Sequence, residues 1–382
     1  MWCALRCGAA PSRSTSRWLP PCASTPAHGR SATAPCHDRR FGRRASSGTI
    51  GCGPSDPGPP VRVEDAPTAY RGSVNIPASG IQYEIEHGPY RAVVADVGAT
   101  LRVLEHDGRA LVVPFDADDV RPHYRGAVLT PWPNRVTDGR YEFGGRAHQL
   151  ALTEPARSHA LHGLAVWAVW TLVERSGSSV TLETEIAPQA GYPWRVVTRA
   201  TYTLTDAGLS WTITTANTGD GDAPYGTGPH PYLVAGEGTL ERWSLTLPAA
   251  QVLEVTPDRL VPLAVRDVDA YKGGELDFRG GRTLGETFID HAYTGLARGA
   301  DGIARVEVRA PEGTGVVMTF DAASPWVQIH TPAGPDLAPG DFRAGLAVEP
   351  MTCPPGAFND GTDLVVLKPG ASHTVTWGIA AL

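Results

Sequence analysis

Residues 196–215 read VVTRATYTLTDAGLSWTITT and contain the pattern that recurs through most of the chain. Two short strand-like runs, Val196 to Leu204 and Leu209 to Thr215, are joined by the turn Asp206-Ala207-Gly208. An aspartate followed closely by glycine between two such runs is a strong hairpin signal. The stretch therefore predicts two antiparallel strands of one sheet.

Similar strand and turn patterns fill the rest of the chain. Ile81-Gln82-Tyr83-Glu84-Ile85 alternates apolar and polar residues, which is the period of a half-buried strand. Glycine (43 residues) and proline (34 residues) are too frequent for a chain of long helices. Short strands with a turn about every 8–12 residues are typical of β-sandwiches and β-barrels. We therefore predict an all-β fold. The other predicted strands are residues 90–94, 100–104, 111–113, 180–186, 306–308, 316–320 and 327–330.

The first 75 residues differ in composition from the remainder. They are rich in arginine, serine and proline and show no strand or helix period. We predict that residues 1–75 are disordered and that one domain occupies residues 76–382. A targeting segment or a regulatory tail would have such a composition. We favour a third origin, sequence translated from upstream of the true start, which would require a start codon other than that of methionine.

Charge and cysteine content narrow the class of protein. The 382 residues carry a formal net charge of −7, which disfavours nucleic acid as a partner because phosphates must be neutralised by lysine and arginine. No apolar run of about 18 residues predicts a membrane-spanning helix. Cys353 is the only cysteine after residue 75, so no disulfide can form within the predicted domain. We therefore expect a cytoplasmic enzyme for a neutral small molecule, monomeric or weakly dimeric.

The segment Gly226-Thr227-Gly228-Pro229-His230-Pro231-Tyr232 holds a histidine between two prolines. The prolines restrict the backbone of His230 to extended conformations, and the glycines allow another segment to approach closely. Such rigidity would pre-orient a catalytic imidazole. A structural histidine in a stiff turn explains the segment equally well.

The segment Gly345-Leu346-Ala347-Val348-Glu349-Pro350 is an apolar strand that delivers a carboxylate. Burial of Glu349 in an apolar setting would raise its pKa towards the range of a general base. Taken alone, the segment is better explained by a strand-end glutamate that meets water.

Three further side chains suit a sugar. His162 lies beside a glycine and shortly before two tryptophans. Arg135 offers five donors in a rigid fork that matches vicinal hydroxyls, and Asp290 can accept two hydrogen bonds from hydroxyls. Each also has an ordinary interpretation, namely a core histidine, a surface ion pair and a turn residue.

Cofactor and metal sites are not predicted. The sequence lacks a glycine-rich phosphate loop, a Gly-x-Ser-x-Gly elbow and a dinucleotide fingerprint. His159 and His162 have a spacing that suits a metal on a helix, but in a strand a separation of three places them on opposite faces. The remaining chemistry needs only acids and bases.

Taken in order, these segments resemble the aldose 1-epimerase (galactose mutarotase) family. The resemblance covers residues 76–382 and implies a large β-supersandwich of mostly antiparallel strands. The matching segments are Pro133-Asn134-Arg135, Gly139-x-Tyr141-x-Phe143, Leu161-His162-Gly163-Leu164, Gly191-Tyr192-Pro193, Pro229-His230-Pro231-Tyr232, Asp290, Val348-Glu349-Pro350, Phe358-Asn359 and Leu367-x-Pro369-Gly370.

The resemblance also implies an activity, the interconversion of the α and β anomers of a free hexose such as glucose or galactose. It implies Glu349 as general base and His230 as general acid, with His162 assisting. The implied sugar ligands are Arg135, Asp290, Asn134 and Tyr232.

The chain departs from better-known members of this family around His230. Leu233 and Val234 follow Tyr232 in place of Phe-Asn, and Gly-Thr-Gly-Pro precedes His230 in place of a Thr-Asn type. The pattern is similar to a bacterial aldose epimerase-like branch, which leaves the sugar open.

Three other functions remain open at this point. The first is a hexose-6-phosphate 1-epimerase, with Arg195, Arg199 or Arg343 as candidate phosphate ligands. The second is a non-catalytic carbohydrate-binding or regulatory module, which would bind sugar without speeding anomer exchange. The third is a sugar lyase or hydrolase on a similar sandwich.

Overall fold

The computed structural model describes residues 75–333 and 340–382. The segment predicted to be disordered, residues 1–75, lies outside the described residues except for Asn75. The prediction of an all-β fold of mostly antiparallel strands is confirmed, because every strand pair is antiparallel in the described part of the chain.

The strands are short and follow one another closely. They are β1 (Gln82–His87), β2 (Tyr90–Ala95), β3 (Thr100–His106), β4 (Arg109–Ala110), β5 (Val128–Leu129), β6 (Arg135–Thr137), β7 (Arg140–Phe143), β8 (Arg146–Gln149), β9 (His159–Leu161), β10 (Thr171–Arg175), β11 (Ser179–Ile186), β12 (Val196–Thr205), β13 (Gly208–Asn217), β14 (Ala223–Tyr225), β15 (Gly228–Pro229), β16 (Tyr232–Leu233), β17 (Ser244–Thr246), β18 (Ala249–Val255), β19 (Pro262–Asp267), β20 (Arg282–Thr283), β21 (Asp290–Leu296), β22 (Ala304–Arg309), β23 (Gly315–Phe320), β24 (Trp326–His330), β25 (Leu346–Met351), β26 (Val365–Leu367) and β27 (Ser372–Ala381).

Among the described residues, helical structure is limited to single turns. The elements are α1 (Ala357–Asp360) and three 3-10 turns, Pro122–Tyr124, Leu240–Arg242 and Tyr271–Gly274. In the part of the chain that the structure describes, no helix has the length and apolar character needed to cross a membrane.

Two large sheets dominate the domain. The nine-stranded sheet has the order β10-β11-β12-β13-β27-β23-β22-β17-β20, and the six-stranded sheet has the order β16-β25-β24-β21-β18-β19. The hairpin predicted from residues 196–215 forms β12 and β13 at the centre of the larger sheet, with Thr205 opposite Gly208. The observed strands extend the predicted runs by one or two residues at the turn and at the far end.

The core follows from alternation along these strands. In β13 every second residue is buried, so that Trp211 and Ile213 point into one cluster with Trp377 of the neighbouring β27. The same cluster includes Tyr293 and Val327 of the six-stranded sheet. Full burial of each such side chain contributes about 1.5–3 kcal/mol. The two sheets therefore share one continuous core.

The six-stranded sheet also sets the register of the site. In β24, Gln328 lies opposite Glu349 of β25 on one side, and His330 lies opposite Asp290 of β21 on the other. Residues two apart on a strand point to the same face. The four polar side chains therefore leave the sheet on one face.

Candidate active site

The predicted site residues meet at one cavity of about 280 Å³. They come from separate parts of the fold, since Arg135 begins β6, Asp290 begins β21 and Glu349 lies within β25. The lining residues are His123, Tyr124, Asn134, Arg135, Glu154, Arg157, Leu161, His162, His230, Tyr232, Phe288, Asp290, His330, Pro332, Ala333 and Glu349.

His230 and Glu349 lie side by side at the base of this cavity. The His230 Nε2 atom is 3.4 Å from Glu349 Oε1, and the two side chains are only 6% and 2% exposed. The pairing arises because the segment 227–231, which contains His230, runs along β25: Val348 N–H donates to the Pro231 carbonyl, and Thr352 N–H donates to the Thr227 carbonyl.

Burial shifts the pKa values of both members of this pair. It lowers the pKa of His230 to about 3, with the neighbouring His330 adding to the effect. Burial also raises the pKa of Glu349 well above its ordinary value, and the negative charge of Asp290 acts in the same direction. Both shifts favour the neutral form of each side chain, with Glu349 protonated and His230 without its second proton.

His162 has a fixed tautomer. Its Nδ1 accepts a hydrogen bond of 3.2 Å from the Asn134 N–H, so the neutral ring carries its proton on Nε2. Burial lowers the pKa of His162 well below its ordinary value, which keeps the ring neutral. Both residues adopt left-handed backbone conformations, with φ of 63° at His162 and 52° at Asn134. Such conformations are uncommon for residues other than glycine and often occur at functional sites.

Arg135 is held by a carboxylate that the sequence analysis did not identify. Its Nε and Nη2 atoms donate to the two oxygens of Glu154 at 2.7 and 3.0 Å, and Arg157 Nη1 donates to the same carboxylate at 2.8 Å. Burial alone would lower the pKa of Arg135, but the hydrogen bonds to Glu154 raise it overall. Arg135 is therefore a fixed cation whose remaining Nη1 edge lies beside Asn134 Oδ1. No motif in the sequence marked Glu154.

Asp290 also has partners that the sequence analysis missed. Gln328 Nε2 donates to Asp290 Oδ1 at 2.6 Å, and His330 Nδ1 lies 3.8 Å from the same oxygen. Burial alone would raise the pKa of Asp290, but the nearby His330 and Arg135 bring it below its ordinary value. Alternation along the predicted strand 327–330 was the available signal, because Gln328 and His330 share a face.

Four buried polar atoms of the site have no hydrogen-bond partner among the described residues. They are His230 Nδ1, Glu349 Oε2, Gln328 Oε1 and His330 Nδ1. Buried polar groups in proteins are nearly always satisfied, and an unsatisfied one costs about 1–3 kcal/mol. A polar ligand in the cavity would supply the missing partners.

Aromatic rings fix the orientation of His230. Tyr232 stacks on its imidazole with a centroid distance of 5.2 Å and an interplanar angle of 17°, and Tyr124 lies at 6.2 Å with an angle of 27°. The Tyr232 hydroxyl donates to the His123 carbonyl at 3.2 Å. Tyr232 therefore lines the cavity with its ring, while its hydroxyl is occupied elsewhere.

His159 lies apart from His162. Its Nε2 is 2.7 Å from the Arg259 carbonyl and its Nδ1 accepts from Asp138 N–H, so both nitrogens have structural partners. Within residues 75–333 and 340–382, no group of three or more His, Cys, Asp and Glu side chains has a geometry suited to a metal ion.

The arginines considered for phosphate binding are not among the residues that line the cavity. Arg195 pairs with Glu185 and Arg199 with Glu183 on the nine-stranded sheet. Arg343 is bound to Glu241 and to the Gly285 carbonyl. Among the arginines of the cavity wall, Arg157 is the one not predicted from the sequence.

Comparison with known proteins assigns the chain to one family. The aldose 1-epimerase family profile matches residues 82–380, and the chain belongs to that family. It is 34% identical over 306 residues to the uncharacterized protein YihR of Escherichia coli (strain K12), covering 80% of this chain and 94% of YihR.

Solved structures show the same fold. A GalM/aldose epimerase homologue from C. elegans has a TM-score of 0.68 at 21% identity, covering 78% of this chain and 99% of that chain. The galactose 1-epimerase from Lactobacillus acidophilus NCFM has a TM-score of 0.66 at 17% identity, covering 79% and 94%.

Proposed function

We propose that this protein is an aldose 1-epimerase that interconverts the anomers of a free hexose. The observation that carries the proposal is the buried His230–Glu349 pair, 3.4 Å apart, beside a cavity with unsatisfied polar atoms. An acid and a base this close can serve the ring oxygen and the anomeric hydroxyl of one pyranose. Family membership supports the same reaction type.

The cycle requires one proton shared by the pair. Burial of the pair favours that proton on Glu349. A bound sugar supplies hydrogen bonds to the charged forms, which favours transfer of the proton to His230. Glu349 then takes the proton from the anomeric hydroxyl while His230 protonates the ring oxygen, and the C1–O5 bond breaks. The open aldehyde turns about C1–C2, and reclosure with reversed proton transfers yields the other anomer.

The other groups orient the sugar. Arg135 and His162 Nε2–H present donors to hydroxyl oxygens, and the fixed carboxylate of Asp290 accepts from hydroxyls. A positioned acid or base contributes about 10²–10⁴-fold to the rate. No covalent adduct is needed. We also propose that the protein works in the cytoplasm as a monomer or weak dimer, in keeping with Cys353 being a buried free thiol.

Polarimetry tests the proposal directly. Freshly dissolved α-glucose or α-galactose is followed with wild-type protein, Glu349→Gln and His230→Asn. We expect the wild type to speed the approach to equilibrium and each variant to lose about 10²-fold or more. Sugar binding by calorimetry without any acceleration would instead establish a non-catalytic module, and release of a new reducing end from an oligosaccharide would indicate a lyase or hydrolase.

A second candidate is a hexose-6-phosphate 1-epimerase, and Arg157 is the observation in its favour. Its guanidinium lines the cavity, and its Nε has no hydrogen-bond partner among the described residues. Arginine is well suited to binding phosphate. The two candidate functions are separated by measuring the rates with glucose and with glucose 6-phosphate, each for the wild type and for Arg157→Gln. A loss confined to the phosphorylated sugar would favour the second candidate.

A further inference from the structure

A second cleft lies on another part of the domain and shares no lining residue with the candidate active site. It has a volume of about 840 Å³. Its walls come from the β7–β8 hairpin, from residues 188–195 and from the loop 218–222.

Trp194 forms the aromatic part of this cleft. Its indole is half-buried and contacts three rings: Phe143 at 5.3 Å, Tyr192 at 5.2 Å and His148 at 5.0 Å. The indole is therefore fixed while part of it faces the cleft. A Cβ at Gly221 would be in van der Waals contact with the indole, 3.9 Å from its nitrogen, so this glycine leaves that part of the ring uncovered.

The opposite wall is pre-organised. The buried Asn217 accepts a hydrogen bond from Gly219 N–H at 3.0 Å and donates to the Gly221 carbonyl at 2.7 Å. Thr218 N–H donates to the Arg195 carbonyl at 3.0 Å. A wall held in this way loses little conformational freedom when a ligand binds.

The charges of the cleft favour a neutral ligand. Arg195 is paired with Glu185 and Asp222 with Lys368. Arg146 and Asp220 are exposed and have no side-chain partner within the described residues, and their opposite charges cancel. A charged ligand would be attracted by one of these two side chains and repelled by the other, whereas a neutral polyol can hydrogen-bond to both.

We propose that this cleft is a second, non-catalytic carbohydrate site that takes a neutral pyranose. Trp194 receives the C–H face of the sugar ring, and Asp220 and Arg146 bind its hydroxyls. A rigid aromatic ring with an apolar face and polar groups at its rim is suited to a ligand with an apolar face and a polar edge.

Fluorine NMR of protein labelled with 5-fluorotryptophan tests the site. The chain has 10 tryptophans, and the resonance missing from Trp194→Phe is that of Trp194. Methyl α-glucopyranoside is the probe, because its blocked anomeric carbon prevents ring opening. We expect a saturable shift of the Trp194 resonance, and an affinity about three- to tenfold weaker in Asp220→Asn. Asp118→Asn, an exposed acid outside the cleft, should leave the affinity unchanged.

Binding at the Trp194 cleft can be tested independently of the proposed epimerase activity. The titration is repeated in Glu349→Gln, where the Trp194 response should persist whether or not the protein speeds mutarotation. If Trp194→Phe does not fold, calorimetry compares glycoside binding to wild type and Asp220→Asn. A Trp194 resonance that does not move up to the solubility limit of the glycoside overturns the proposal. Saturation by inorganic phosphate but not by the glycoside overturns it as well.

Discussion

Gly228 packs directly against the strand that carries the proposed base, because a Cβ at this position would lie 2.8 Å from the Pro350 carbonyl oxygen. Real Cβ atoms essentially never approach a backbone oxygen so closely. Gly226, two residues earlier, is also closely packed, since a Cβ at this position would overlap the Cys353 sulfur. The short distance between His230 and Glu349 therefore depends on glycines that let their two segments approach.

The substitution Gly228→Ala tests this dependence. We expect the added methyl group to push β25 away from the segment that leads into His230, at a cost of about 1–3 kcal/mol in the free energy of unfolding. A shift of 1 Å at a catalytic pair can lower the rate by about 10²-fold. Denaturant unfolding and polarimetry measure the two effects.

Gly280→Ala is the matched control, because a Cβ at Gly280 meets nothing within 4 Å. This variant should keep the stability and activity of the wild type. If Gly228→Ala behaved like Gly280→Ala, close approach of the segments would not be what holds the pair together.

Glu154→Gln tests whether the orientation of Arg135 depends on its carboxylate partner. The amide can accept only one of the two hydrogen bonds that Glu154 now accepts from Arg135, so the guanidinium should lose its fixed orientation. We expect the KM for the sugar to rise about tenfold, with a smaller change in kcat, because a positioning role acts mainly on binding.

Glu183→Gln provides the comparison for Glu154→Gln. Glu183 likewise binds an arginine, Arg199, but on the nine-stranded sheet rather than at the cavity. The KM of the Glu183→Gln variant should match that of the wild type. An unchanged KM in Glu154→Gln would show that Arg135 keeps its position without the carboxylate.

Local sequence signals predicted the framework of this fold well. The hairpin of β12 and β13 could be identified because an Asp-x-Gly turn separates two strand-like runs, and the prolines around His230 marked a rigid segment. The order of the strands in the two large sheets was not predictable, because neighbours such as β13 and β27 are far apart in the chain.

The site was predictable only where a motif surrounds the residue. Arg135 and His162 lie in segments that match a motif, whereas Glu154 and His330 lie outside every such segment. Their positions depend on pairing with distant strands, as His330 does opposite Asp290. The low pKa of His230 could not be predicted from the sequence, because it depends on burial from all sides, which no local pattern reveals.

Tyr232→Phe should have little effect on catalysis. The hydroxyl donates to the His123 carbonyl, while the ring stacks on His230, and phenylalanine keeps the ring. We expect kcat within about threefold of the wild type and a loss of about 0.5–1.5 kcal/mol in the free energy of unfolding for the missing hydrogen bond. Tyr232→Leu, which removes the stacked ring, should lower kcat further. A large rise in KM in Tyr232→Phe would instead make the hydroxyl a sugar ligand.

The buried carboxyl of Glu349 should make the folded protein less stable as the pH rises. Its pKa in the folded state lies well above the ordinary 4.5, so above pH 4.5 the folded state binds more protons than the unfolded state. Stability is therefore fully present below this pH and is lost as the pH rises through the folded-state pKa. Glu349→Gln, which cannot ionise, should not show this loss, so its Tm relative to wild type should increase between pH 4.5 and 8.

Glu286→Gln, a change at an exposed residue, should give a Tm difference that stays constant over this range. The measurement is thermal unfolding at a series of pH values, and a Tm difference for Glu349→Gln that stayed constant with pH would mean that Glu349 is ionised in the folded protein.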